Sequence, residues 1–199
     1  MRAALRFLPF LLIMPAGSVP IVEQFFGAAQ NASPQDARAV KDELDRLFYT
    51  LRHSETAEDA SKAEANIFIV LTQSSSPTAN LLLESANVAL ENGDEVAAKA
   101  MLDNVVRLEP KFAEGLTRAA ALAYQGGDSQ AAKALLTRAL RLEPRHFGAL
   151  SGLGLVLEDL GDLKNAQRAY HDALNFHPFL DSAKRGLLRL EAKTDGLSL

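Results

Sequence analysis

Apolar residues return at steps of three and four through most of the chain, in short blocks parted by polar breaks. Leu135, Leu136, Ala139 and Leu140 are typical, and such spacing lays one apolar stripe along an α-helix. Near the start, Val40, Leu44, Leu47, Phe48 and Leu51 form a stripe. Ser33-Pro34-Gln35-Asp36 opens it, a helix start with Pro in the first turn. The polar break Ser54-Glu-Thr-Ala-Glu-Asp59 offers caps at Ser54 or Thr56. A second helix follows, with Ala60, Ala63, Ile67, Val70 and Leu71 on one side, until Ser74-Ser-Ser-Pro77 ends it. Near the other end, Phe179, Leu180, Ala183, Leu187, Leu188 and Leu190 make a last amphipathic helix among Lys184, Arg185, Arg189 and Glu191.

Between these ends the pattern repeats every thirty-four residues. Leu108-Glu-Pro110 recurs as Leu142-Glu-Pro144 and as Phe176-His-Pro178. Gly93-Asp94 recurs as Gly127-Asp128 and Gly161-Asp162, Ala98 as Ala132 and Ala166, and Leu82 as Leu116 and Leu150. Each glycine falls just past a helix, where a left-handed backbone is cheapest for a residue without a β-carbon. The aspartate that follows is placed to cap the next helix. The alanines let neighbouring helices approach closely.

These residues resemble the tetratricopeptide repeat (TPR), whose pattern is a large apolar residue, a small pair, then A-x3-F and a closing Pro. The first copy, 79–112, reads Leu82, Ser85-Ala86, Ala89, Ala98-x3-Leu102, Pro110. The second, 113–146, reads Leu116, Ala119-Ala120, Ala123, Ala132-x3-Leu136, Pro144. The third, 147–180, reads Leu150, Leu153-Gly154, Leu157, Ala166-x3-Tyr170, Pro178. The resemblance implies an all-α fold, a right-handed TPR-type helical solenoid of three helix-turn-helix repeats over 77–180. An N-terminal helical hairpin within 30–76 is expected to act as a degenerate repeat covering the first copy, with Ala65 and Ile69 in its A-x3-F places. A C-terminal capping helix is expected over 181–193, and a tail over 194–199.

By the same resemblance, the partner-facing places are the second, fifth, ninth and twelfth of each copy. Here they are Asn80, Leu83, Asn87 and Leu90, then Glu114, Thr117, Ala121 and Tyr124, then Gly148, Ser151, Leu155 and Glu158. An amide pair, a tyrosine and apolar side chains along a groove suit an extended or helical peptide. Packing of helix on helix is the competing use of these positions. The carboxylate clamp of chaperone-tail-binding members is not expected, because Leu83, Gly148 and Gly152 stand where it needs cations or amides.

The first residues read as an export address. Met1 to Arg6 carries two positive charges, Phe7 to Val22 is almost wholly apolar, and Gly27-Ala28-Ala29 supplies small residues for a cut before Gln30. An uncleaved anchor is the alternative reading for 1–29. A run of sixteen residues is short for a span of about 20, and Pro9, Pro15 and Pro20 would each remove a helix hydrogen bond. Periplasmic residence is therefore expected, with an inner-membrane-anchored form facing the periplasm as the alternative.

Composition narrows the chemistry. The 199 residues include no cysteine, which excludes disulfides, thiol catalysis and cysteine-ligated metal. A formal charge of −4 gives no basic footprint for nucleic acid. None of His53, His146, His171 and His177 sits in a zinc-protease motif, and solvated or helix-end roles are expected for them. Gly152-Leu-Gly154 is only a fragment of a phosphate loop and falls inside a helix, and Ser151 lacks the nucleophile-elbow glycine at Ala149. No catalytic residue, cofactor or metal is expected. The expected role is a protein-interaction adaptor or scaffold of the cell envelope, with a protein or peptide partner and self-association left open. A small-molecule or glycan-binding accessory is the alternative, though Tyr124 is the one aromatic it would have in the groove.

Overall fold

The computed structural model describes residues 34–196, with side chains placed over 38–193; the expected leader lies outside the described residues. Nine helices make up the described residues. They are α1 (Pro34–Arg52), α2 (Ala57–Leu71), α3 (Pro77–Glu91), α4 (Glu95–Leu108), α5 (Ala113–Gln125), α6 (Ser129–Leu142), α7 (Phe147–Asp159), α8 (Leu163–Phe176) and α9 (Asp181–Gly196). Helices pair as hairpins, α1 with α2, α3 with α4, α5 with α6 and α7 with α8, and successive repeats join through α4 on α5, α6 on α7 and α8 on α9. This is an all-α TPR-type array. α9 takes the place that the first helix of a fourth repeat would fill, and it runs on to Gly196, past the residue at which the sequence reading ends it.

Local chemistry makes the corners identical. Gly93, Gly127 and Gly161 have φ of 76°, 85° and 79°. That left-handed turn directs the N–H of Asp94 to the carbonyl of Ala89 at 2.8 Å, with Asp128 to Ala123 and Asp162 to Leu157 both at 2.9 Å. Each closes a helix end whose carbonyls have no partner inside the helix. The same aspartates then cap the next helix. Their carboxylates accept from the N–H of Ala97 and Ala131 at 2.9 Å and of Asn165 at 3.3 Å. At the other corners Pro110, Pro144 and Pro178 each occupy the second position of a hydrogen-bonded turn, closed by Phe112 on Glu109, His146 on Glu143 and Leu180 on His177.

Ala98, Ala132 and Ala166 are wholly buried where paired helices cross, next to Leu102, Leu136 and Tyr170. The N-terminal hairpin lies elsewhere than expected. Neither of its helices stacks along α3; α1 packs instead on α8. Phe48 meets Phe147 and Phe176 edge-on, at 6.4 Å between ring centres in both cases. Arg145 donates to Asp45 at 2.6 Å and lies over the Phe48 ring at 4.4 Å. His177 Nε2 and Glu64 are 3.2 Å apart, and Arg118 lies over Phe68. The hairpin therefore covers the inter-repeat turns of the second and third copies. The reason is visible in α2. Its buried residues are Ala60, Ala63 and Ile67, whereas Ala65 and Ile69 are only part-buried, so its apolar stripe is out of register with a repeat.

Candidate partner-binding face

The first helices α3, α5 and α7 carry all the predicted groove residues, and the fold divides them into two sets. One set is engaged by contacts within the protein, although Asn80 and Thr117 among them are only part-buried. Leu83 is buried with Ala86, Ala98 and Leu102. Asn80 ties the α2–α3 turn, its Oδ1 accepting from the Ser74 N–H at 2.8 Å and hydroxyl at 2.7 Å. Ser151 is buried and bonded to Ser182 of α9 at 2.8 Å. Thr117 returns its hydroxyl to the Ala113 carbonyl of its own helix at 2.9 Å.

Glu114 and Glu158 are buried ion centres. Glu114 accepts from Arg118 at 2.5 Å and lies 2.9 Å from His146 Nε2. The other His146 nitrogen, Nδ1, accepts the Ala149 N–H and so caps α7. That arrangement assigns the hydrogen to Nε2, which donates it to the carboxylate. Burial pushes the Glu114 carboxyl up, but the Arg118 charge and the His146 hydrogen bond outweigh it and hold it below the usual value. Glu158 accepts from Tyr170 at 3.1 Å, Arg189 at 3.0 Å and Lys193 at 2.8 Å. Here too burial acts upward, and the Arg189 and Lys193 contacts prevail, so the net shift is down.

The second set remains reachable from solvent. Asn87, Leu90, Tyr124, Gly148 and Leu155 are part-buried and Ala121 is exposed. Burial raises the Tyr124 phenol above its usual value, with Asp159 and Glu158 acting in the same direction. The accessible strip thus offers an amide, a neutral phenol and aliphatic surface.

Of the solvated or helix-end roles expected for the histidines, His146 and His177 take the helix ends, and their burial was missed. Sequence reasoning also missed that complementary polar residues about one repeat length apart in the sequence meet in space. Glu114 with His146, Ser129 with Asp159, Ser151 with Ser182 and Glu158 with Arg189 all follow this rule. That spacing was the available signal.

No protein-family profile matches the chain. A TPR repeat-containing protein of Rhizobium etli is 35% identical over 78 residues, which are 39% of this chain and 38% of that protein. The chain therefore covers well under two thirds of this relative. Among solved structures, the first TPR of Spaghetti (RPAP3), bound to the HSP90 peptide SRMEEVD, aligns with a TM-score of 0.57 at 19% identity, over 59% of this chain and 94% of that one. The Sgt2 TPR domain from Aspergillus fumigatus also gives 0.57, at 24% identity over 62% of this chain and 83% of that one. At these identities the two structures show a shared fold.

Proposed function

We infer that this TPR repeat protein is an interaction adaptor whose first helices present a docking strip to a peptide or protein partner, and that it is not an enzyme. The observation that carries the reading is the accessible set Asn87, Ala121, Tyr124 and Leu155. These residues stand at groove places of successive first helices while their neighbours Leu83, Glu114, Ser151 and Glu158 are held internally. A rigid base with a soft accessible row suits recognition of an extended or helical segment, where a few side chains supply most of the affinity. A solved TPR of the same fold is bound to a peptide, which supports the class of partner and not its identity. The leader-like pattern of the first residues places the adaptor outside the cytoplasm in this reading, in service of cell-envelope assembly or integrity.

The test is photocrosslinking in intact cells from positions 121 and 124, with partners identified by mass spectrometry. Asn87→Ala and Tyr124→Ala are expected to weaken capture at least severalfold while leaving the melting temperature within a few degrees. Capture unchanged in both variants would remove the strip from the account. N-terminal mass analysis of the recovered chain tests the export reading, which fails if the intact leader is found on a cytosolic protein.

A further inference from the structure

We propose that the open end of the array, the outer face of α3 and α4, is a second docking site, one that takes a basic amphipathic helix from a partner. The thirty-four-residue period identifies the face. Leu81 of α3 aligns with Gly115, Ala149 and Ala183, and Val88 aligns with Leu122, Val156 and Leu190. In the three later copies both places are buried under the second helix of the repeat before. A β-carbon on Gly115, for example, would come within 2.7 Å of Val105 on α4. Among the described residues no such helix precedes α3 in the first copy, since the α1–α2 hairpin has gone to the inter-repeat turns. Leu81 is 64% exposed and Val88 50%. With Ser85, Ala89, Ala97 and Met101 they line an open depression. The face keeps the apolar character of a repeat junction, and among the described residues no helix occupies it.

Two further features define what fits. Leu81 stands where the other copies have Gly or Ala, so the incoming helix cannot lie as close as α4 lies on α5 and must present small residues opposite it. Glu84 and Asp94 also line the depression, with no Lys, Arg or His among the lining residues. α3 itself carries Glu84 and Glu91 and no cation, and the two cations of α4 are engaged on their own helix, Lys99 with Asp103 at 2.6 Å and Arg107 with Asn104 at 2.8 Å. A second copy docked face to face would set acid against acid, whereas a helix with Lys or Arg beside its apolar stripe meets complementary charge. This site is separate from the groove strip, and its test does not depend on that reading.

Of the second helices here, α6 fits the description. It bears Lys133, Arg138 and Arg141 with no acidic residue, and it buries Ala132, Leu136 and Ala139. The probe is therefore a lactam-braced peptide of residues 129–142 added to the isotope-labelled full chain, up to about 1 mM. Shifts centred on Leu81, Val88 and Met101 are expected, with affinity reduced about tenfold by Glu84→Lys. Leu81→Asp should abolish binding with an unchanged melt, because that side chain is mainly in solvent. Four results would each overturn the proposal. They are no shifts on α3 and α4, shifts confined to α5 and α7, equal binding of a peptide with its three cations changed to Glu, and self-association in sedimentation that Leu81→Asp removes.

Discussion

The ring of Tyr170 rests on the bare α-carbon of Gly154, where a β-carbon would lie 2.6 Å from two ring carbons. Gly186 of α9 closes on the other side, and a β-carbon there would overlap the ring as well. Tyr170 is thus a flat plug between two glycine notches. It fills the large position of the third copy and joins that copy to α9, and its hydroxyl reaches Glu158.

Gly154→Ala and Gly186→Ala should therefore destabilise the protein even though alanine is the better helix former. The propensity gain is about 1 kcal/mol. Forcing a methyl into the ring costs about 1–3 kcal/mol, and with overlap on this scale the upper half of that range is expected. Gly152→Ala is the control, because a β-carbon there meets Leu136 at an ordinary 3.5 Å. Chemical denaturation should show the first two variants losing stability and the third gaining. A gain at Gly154 would mean that the ring has somewhere else to go.

A second contrast lies in one turn. Gly126 has φ of −73°, and Gly127, next to it, has φ of +85°. Alanine at 127 must enter the left-handed region, at about 1–2 kcal/mol. Alanine at 126 keeps its backbone and removes unfolded-state freedom, for a gain of about 0.4–1 kcal/mol. Midpoints of thermal melts for Gly126→Ala and Gly127→Ala should move in opposite directions.

The corners were legible in the sequence because they are local. A glycine needing positive φ, an aspartate able to cap and a proline able to start a turn each act within four residues, and the period repeats them. The seat of the hairpin was not legible. It depends on contacts such as Asp45 with Arg145 and Glu64 with His177, whose residues lie 100 and 113 apart and occur once. The groove positions fell between these cases. Helical register put Glu114, Ser151 and Glu158 at partner-facing places, but whether such a residue is free depends on what the next repeat brings to it. For these three the turn leading into the next repeat, or α9, brings His146, Ser182 and Arg189.

Acid should weaken the fold through its buried carboxylates. Glu114 and Glu158 both have folded-state pKa values held below the ordinary one. A group shifted that way contributes stability in full above the unfolded-state range, near pH 4, and loses it as pH falls through its own lower value. Melting temperature should therefore decline on acidification below about pH 4. Glu158→Gln should flatten that decline while lowering the melt at neutral pH, where the variant leaves Arg189 and Lys193 without their anion. Parallel pH profiles for the two proteins would show that Glu158 is not among the groups that couple protons to folding.

The hairpin seat can be loosened without touching a repeat helix. Arg145 joins Asp45, Glu143 and the face of Phe48. The Asp45 carboxylate is well exposed, so solvent screens that ion pair and it adds little. The cation over the ring adds about 0.5–2 kcal/mol. Arg145→Ala should then reduce protection of α1 by about 1–2 kcal/mol, which is roughly a five- to thirtyfold faster exchange of its core amides. Amides of α5 to α8 should keep their rates, since none of their buried contacts is removed. Phe48→Ala takes away a ring that is almost fully buried, and a loss of about 3–5 kcal/mol exceeds what the remaining polar contacts can hold. If the second variant exposes α1 and α2 alone to exchange or protease, the hairpin is a separable cover on the array. If α7 and α8 lose protection in step with it, the hairpin belongs to their folding unit, and the seat on Phe147 and Phe176 is part of the core.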